Sequence, residues 1–126
     1  MDWNKPPQQT KAAPEVASPL APAVFYILVA LADGERHGYA IMQEVAARSG
    51  GAVRLGPGTL YGAIARMLDG GLIVESQERP EKDDSRRRYY RLTDRGSRAL
   101  AAEARRLGEL ARLARSTRAV RQLKQA

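Results

Sequence analysis

The sequence contains no cysteine and only one histidine, His37, in 126 residues. The missing thiols exclude disulfides, thiolate zinc sites, iron–sulfur clusters and cysteine nucleophiles. A single imidazole excludes multi-histidine metal sites. No nucleophile–base pair or metal-ligand cluster can be assembled from what remains, so the expectation is no enzyme, no metal and no cofactor. Aromatic residues are sparse, at 6%. The longest apolar run, Ala21 to Ala32, is well short of the roughly 18–20 residues that cross a bilayer. Residues 1–20 are polar and Pro-rich, unlike a signal peptide. These absences point to a soluble, cytoplasmic protein with no membrane partner.

What the chain does have is positive charge. The formal net charge is +7. It is distributed unevenly. Residues 1–20 are neutral, residues 21–78 carry four Arg against six acids, residues 79–96 carry seven cations against four acids, and residues 97–126 carry eight against two. All of the excess therefore lies in the C-terminal part. A basic balance suggests nucleic acid, but the asymmetry has to be explained. Hydrophobic residues make up 44%, enough to build the core of one small domain.

Residues 1–20 lack apolar periodicity and contain Pro6, Pro7, Pro14 and Pro19, which predicts a disordered tail. Pro22 suits the first turn of a helix that carries Val24, Phe25, Ile27, Leu28 and Leu31 and stops at Asp33-Gly34. That helix is apolar nearly all round, which hints at a subunit interface. A second helix is predicted from Gly38 to Ser49. Tyr39, Met42 and Ala46 form its inward stripe, widened by Ile41 and Val45, and Gly50-Gly51 ends it. Val53-Arg54-Leu55 reads as a short extended piece.

A third helix starts at Gly56-Pro57-Gly58-Thr59 and stops at Gly70-Gly71, with Leu60, Ile64, Leu68, Ala63 and Met67 towards the core. Its other face offers Thr59, Gly62, Ala65 and Arg66, small enough for a partner surface to approach closely. Leu72-Ile73-Val74 and Tyr89 to Leu92 are predicted strands, joined by the charged stretch 77–88. Thr93 is an N-cap candidate for a long last helix, from about Asp94 to at least Ala114. Leu100, Ala104, Leu107, Ala111 and Ala114 alternate at 4-3-4-3 spacing, flanked by Leu110 and Leu113. This is a coiled-coil-like seam, and a second copy of the chain is the expected occupant.

Four segments carry a family signature when read in order. His37-Gly38-Tyr39-Ala40-Ile41 opens the second helix and Gly58-Thr59-Leu60-Tyr61 the third. Leu68-Asp69-Gly70-Gly71-Leu72-Ile73 leaves it, and Arg88-Tyr89-Tyr90-Arg91-Leu92-Thr93-Asp94-Arg95-Gly96 closes the second strand. Over about residues 21–115 the chain resembles the PadR family of bacterial transcriptional regulators, in its short single-domain branch. The resemblance implies a mainly α fold with a small β-hairpin: a winged helix-turn-helix over 21–96, followed by a dimerisation helix and basic tail over 97–126.

It further implies a homodimeric repressor on double-stranded DNA. Dimers would form through the last and first helices, here by Phe25, Leu28, Leu100, Ala104, Leu107, Leu110, Ala111 and Ala114. Small-molecule effectors that release DNA are known in the family. Residues 97–126 contain no aromatic, so an effector pocket here would draw on Phe25 and Tyr26 instead. The third helix fits a major groove, which is wide enough to admit one. Its expected DNA contacts are Gly58 and Thr59 through backbone N–H groups, and Tyr61 and Arg66 through side chains. Lys82, Arg86, Arg87 and Arg88 of the wing are expected on phosphates or in a minor groove.

Each assignment has a plainer rival. Tyr61 can be a packing residue, Arg66 and the arginine run solvated surface, and His37 a cap. Asp83-Asp84 is read as solvated charge rather than an acid/base or metal pair. A non-specific architectural DNA-binding protein and a protein-interaction module on the same fold are the competing functions.

Overall fold

The computed structural model describes residues 19–76 and 87–124. Helix α1 (Pro22–Leu31) has Pro at its first turn and buries Ile27, Leu28, Ala30 and Leu31. It packs against every other large element of the fold, which explains why it is apolar nearly all round. Helix α2 (Gly38–Arg48) follows the two-residue strand β1 (Arg36–His37) directly. Helix α3 (Pro57–Asp69) leads into β2 (Ile73–Glu75). Strand β3 (Tyr89–Leu92) then precedes the long α4 (Asp94–Arg115) and the short α5 (Arg118–Lys124).

Both glycine pairs terminate their helices by the same geometry. Gly51 N–H donates to Ala46 O at 2.8 Å and Gly50 N–H to Ala47 O at 3.2 Å, closing α2. At the end of α3, Leu72 N–H donates to Met67 O at 2.9 Å and Gly71 N–H to Leu68 O at 3.1 Å. These are paired 6→1 and 5→2 bonds, and they need a left-handed residue just past the helix. Gly50 (φ 64°) and Gly71 (φ 77°) fill that role.

The sheet has three strands in the order β1-β3-β2, all antiparallel. The extended piece expected at Val53 to Leu55 is not a strand. The third strand is Arg36–His37, which pairs with Tyr90 and Tyr89. Two residues carry no readable alternation, so β1 becomes a strand only because β3 lies beside it.

Two inward stripes are also corrected. Leu68 is exposed, while Leu60, Ala63, Ile64 and Met67 are buried. Steps of four residues advance about 40° beyond a full turn each, so Leu68 has rotated about 80° away from Leu60. On α2 the buried residues are Gly38, Ile41 and Val45; Met42 and Ala46 are half-buried, and Tyr39 is 57% exposed.

Helix α4 runs through Gly108 without a break, at a cost of about 1 kcal/mol relative to Ala. Its first turns are fastened to the α3–β2 corner. Thr93 Oγ1 accepts from Gly96 N–H at 3.0 Å, the predicted N-cap. The same hydroxyl lies 2.6 Å from Gly71 O and 3.0 Å from Leu72 O, to which it can donate. Arg95 Nε donates to Gly70 O at 3.0 Å. Farther along, Glu103 is buried, paired with Arg106 at 2.6 and 2.9 Å and accepting from Leu20 N–H at 3.2 Å. The hydrogen bond to Glu103 also raises the Arg106 pKa. The carboxylate thus ties the chain entering α1 to α4.

Candidate nucleic-acid interface

Helix α3 buries one side and exposes the other. At 100° per residue the exposed side is centred on Gly58, Gly62, Ala65 and Asp69, with Tyr61 on one flank and Thr59 and Arg66 on the other. The centre is nearly free of side chains, so a partner can approach the backbone closely. Apart from Asp69 at the C-terminal end of the helix, the side chains able to hydrogen-bond stand at its edges. Gly56, the N-cap, supplies no side-chain acceptor to the first turn. The amides of Gly58 and Thr59 sit on that exposed first turn, where the helix end favours an anion.

The two flanks open onto two cavities. Tyr61 lies over the start of α2. A Cβ built on Gly38 would overlap its hydroxyl and sit 2.8 Å from its Cζ. The ring is nevertheless 49% exposed. The hydroxyl end of Tyr61 thus packs against Gly38 while about half of the residue stays exposed. Beside it, His37, Gly38, Tyr39, Tyr61, Arg87, Arg88 and Tyr90 line a cavity of about 360 Å³. Burial pushes the Tyr90 hydroxyl above its ordinary pKa, so it stays protonated in this wall.

On the other flank, Arg66 reaches back along α3, its Nη1 3.7 Å from where a Gly62 Cβ would be. With Arg95 it edges a shallower cavity of about 290 Å³ whose floor includes Leu20, Val24, Met67 and Leu72. The sequence reading missed Arg95, because Gly70 and Arg95 meet only through the fold.

The wing cations are distributed differently from a uniform clamp. Arg87 and Arg88 stand just before β3, next to the Tyr61 flank. Arg88 pairs with Glu75 across the hairpin at 3.6 Å. Arg87 Nη1 is 3.1 Å from His37 Nε2. His37 caps α2, its Nδ1 accepting from Ala40 N–H at 3.2 Å, and its ring meets Tyr89 edge-on at 5.3 Å. A neutral imidazole has one acceptor nitrogen. His37 therefore cannot cap α2 and accept from Arg87 at the same time. Lys82, Arg86 and the Asp83-Asp84 pair lie outside the described residues, as do Trp3 and the rest of residues 1–18.

The expected dimer residues divide into three groups. Leu28 is fully buried in the protomer's own core and has no surface to offer a second copy, which corrects that assignment. Phe25 and Leu100 are half-buried, Leu100 against the core. Ala104, Leu107, Leu110 and Ala114 are exposed and Ala111 is half-buried, with Leu113 beside them at 65% exposure. Phe25 and Tyr26 form an edge-on ring pair at 5.9 Å on α1. No helix among the described residues is long and apolar enough to cross a membrane.

The model of the PadR-like family of transcriptional regulators matches residues 27–102. The chain belongs to this family. A transcriptional regulator of Mycobacterium tuberculosis, Rv3488, is 42% identical over 87 residues, covering 69% of this chain and 77% of the relative. An uncharacterized 37.1 kDa transposon protein of Streptomyces fradiae is also 42% identical, over 89 residues. That match takes in 71% of this chain but only 24% of the longer relative.

Among solved structures, a PadR family transcription regulator from Clostridium difficile R20291 superposes with a TM-score of 0.64 at 25% identity, covering 74% of this chain and 94% of that one. PadR of Bacillus subtilis, solved in complex with operator DNA, superposes with a TM-score of 0.57 at 24% identity, covering 67% of this chain and 47% of that one. The helices, three-stranded sheet and long C-terminal helix are thus the winged-helix PadR fold. Rv3488 and the Clostridium difficile protein are both named as regulators of transcription.

Proposed function

We propose that this PadR-family chain is a cytoplasmic, sequence-specific DNA-binding repressor that acts as a homodimer. The observation that carries the reading is the exposed face of α3, with only Gly58, Gly62 and Ala65 at its centre before Asp69 at its far end, edged by Thr59, Tyr61 and Arg66, and with Arg87 and Arg88 beside it. Such a helix enters a major groove while the arginines meet the flanking backbone. The family membership and a relative solved on operator DNA support the same partner.

A second copy is the proposed occupant of the α4 seam formed by Ala104, Leu107, Leu110, Ala111 and Ala114. Phe25 and partly Leu100 extend that contact. Pairing would set two α3 helices in successive major grooves, about 34–36 Å apart. A small-molecule effector acting near Phe25 and Tyr26 would reach α1 at this seam and change the spacing.

A gel shift with the DNA upstream of the protein's own coding region, against random-sequence competitor, tests the reading. Retention of that fragment in excess competitor is the expected result. Equal competition by random DNA makes it an architectural DNA-binding protein. Absence of any shift makes it an interaction module.

A further inference from the structure

Resting on the homodimeric DNA-binding reading above, we propose that Glu103 is a positioning residue. It sets the direction in which α4 leaves the DNA-binding unit, and so the distance between the two α3 helices of a dimer. Helix α4 is fastened to the rest of the chain at two places. At its start, Thr93 and Arg95 hold the α3–β2 corner through Gly71 O, Leu72 O and Gly70 O. About 15 Å farther along the axis, Glu103 accepts from Leu20 N–H at 3.2 Å, at the entry to α1. One fastening leaves a helix free to swing; two give it a direction. Glu103 is also the last buried residue of α4, at 3% exposure. Every residue after it, from Ala104 to Arg115, is exposed or half-buried. The carboxylate therefore stands where the DNA-binding unit ends and the apolar seam begins.

The chemistry of this contact suits direction better than stability. A buried ion pair contributes little net stability, because desolvation offsets the attraction. Its hydrogen bonds weaken steeply with angle and distance, whereas apolar side chains can slide past one another. Arg106 grips both carboxylate oxygens, Oε1 at 2.9 Å and Oε2 at 2.6 Å. This grip is internal to α4: it neutralises the charge and orients the carboxylate. Leu20 N–H supplies the link to the start of α1. There the N-cap, Ala21, has no side-chain acceptor, and the helix dipole favours negative charge. The lever is long. From Glu103 to Arg115 α4 extends about 18 Å, so a tilt of about 10° displaces its end by about 3 Å, close to the rise of one base pair.

The test compares Glu103→Gln and Glu103→Leu with the wild-type full chain and with Val45→Ala, a change at a buried position on α2. An apolar side chain of similar volume in place of a buried ion is tolerated by the fold, so Glu103→Leu separates direction from stability. The chain has no cysteine. Ala47→Cys on α2 and Arg112→Cys on α4, both exposed positions, therefore take spin labels selectively. Dilution with unlabelled chain isolates the distance within one protomer. Both Glu103 variants are expected to broaden or displace that distance by about 3 Å, while Val45→Ala lowers stability and leaves it in place. On inverted repeats whose spacer grows one base pair at a time, both Glu103 variants lower the preference for the best spacer about three- to tenfold. Binding to a single half-site is unchanged. An unchanged distance, or an unchanged spacer preference in variants whose distance has moved, overturns the proposal. If the wild-type chain shows no spacer preference, the homodimeric DNA reading fails, and the distance alone decides whether Glu103 directs α4.

Discussion

Tyr61 and Gly38, 23 positions apart in sequence, occupy one site: the tyrosine hydroxyl and ring edge stand where a Gly38 side chain would begin. The contact joins the first turns of the two helices of the helix-turn-helix and sets the wall of the cavity beside the wing. Gly38→Ala forces the ring outward. In an isolated helix the same change would favour folding, since Gly is worse than Ala by about 0.5–1 kcal/mol. We expect Gly38→Ala to be neutral or destabilising in the wild-type chain and stabilising by up to about 1 kcal/mol beside Tyr61→Ala. Urea unfolding of the four proteins measures this reversal of sign. The same sign in both backgrounds excludes the contact.

Gly96 has a harder constraint. A Cβ there overlaps the carbonyl oxygen of Leu72 and lies 3.1 Å from its carbonyl carbon. Backbone held at both ends by Thr93 cannot move as a tyrosine ring can. Gly96→Ala should cost about 1–3 kcal/mol or more by overpacking, read as a lowered denaturation midpoint with the slope unchanged.

The arginines of the wing and of α3 should separate by assay. Replacing Arg86, Arg87 and Arg88 with Ala is expected to weaken binding to every sequence. The salt slope should fall by ~0.9 for each phosphate that is no longer neutralised. Arg66→Ala is expected to reduce preference for the upstream fragment more than binding to random DNA. Fluorescence anisotropy over a salt series distinguishes them, and an unchanged slope for the triple variant removes the wing from the backbone.

The apolar residues of the seam should separate from those of the core. Leu110→Glu lies on an exposed helix face and is expected to yield folded monomer, measured by sedimentation. Leu28→Ala empties a fully buried site and should cost about 2–5 kcal/mol of protomer stability. A Leu110→Glu protein that stays dimeric would place the subunit contact elsewhere.

A pH effect belongs to α2. The hydrogen bond from Arg48, 2.6 Å away, holds the Glu44 carboxyl below its ordinary value against the opposing effect of desolvation, aided by Arg36. Arg48 also reaches Asp33 at 2.7 Å, fastening the turn after α1, and its own pKa is raised by both partners. A depressed acid stabilises the fold above its unfolded pKa and loses that contribution as pH falls through the folded value. The stability difference between wild type and Glu44→Gln should therefore be largest near neutrality and shrink as the pH drops below the ordinary value of 4.5. Thermal unfolding in a pH series tests it. A difference that grows on acidification reverses the sign.

Helix starts and stops were legible in the sequence, because they depend on local backbone chemistry. Pro22, Thr93 and the glycine pairs at 50–51 and 70–71 act within a few residues of themselves, so their effects do not wait for tertiary context. The charge distribution was legible for the same reason, and so was the exposed face of α3, which follows from helical periodicity. The family motifs also lie in runs of a few residues.

Tertiary structure alone decided everything that depends on elements meeting. Strand β1 exists because β3 lies beside it. Leu28 belongs to the protomer core because α1 is surrounded within one chain, not because its own pattern differs from that of an interface helix. Tyr61 could be assigned to packing or to solvent from the sequence; the bare backbone of Gly38 gives its hydroxyl and ring edge the space to pack, while the residue stays 49% exposed. His37, Arg87 and Arg95 acquire their partners across 50, 50 and 25 positions respectively. No periodicity or spacing encodes such distances, because they are set by how the helices and hairpin pack around α1.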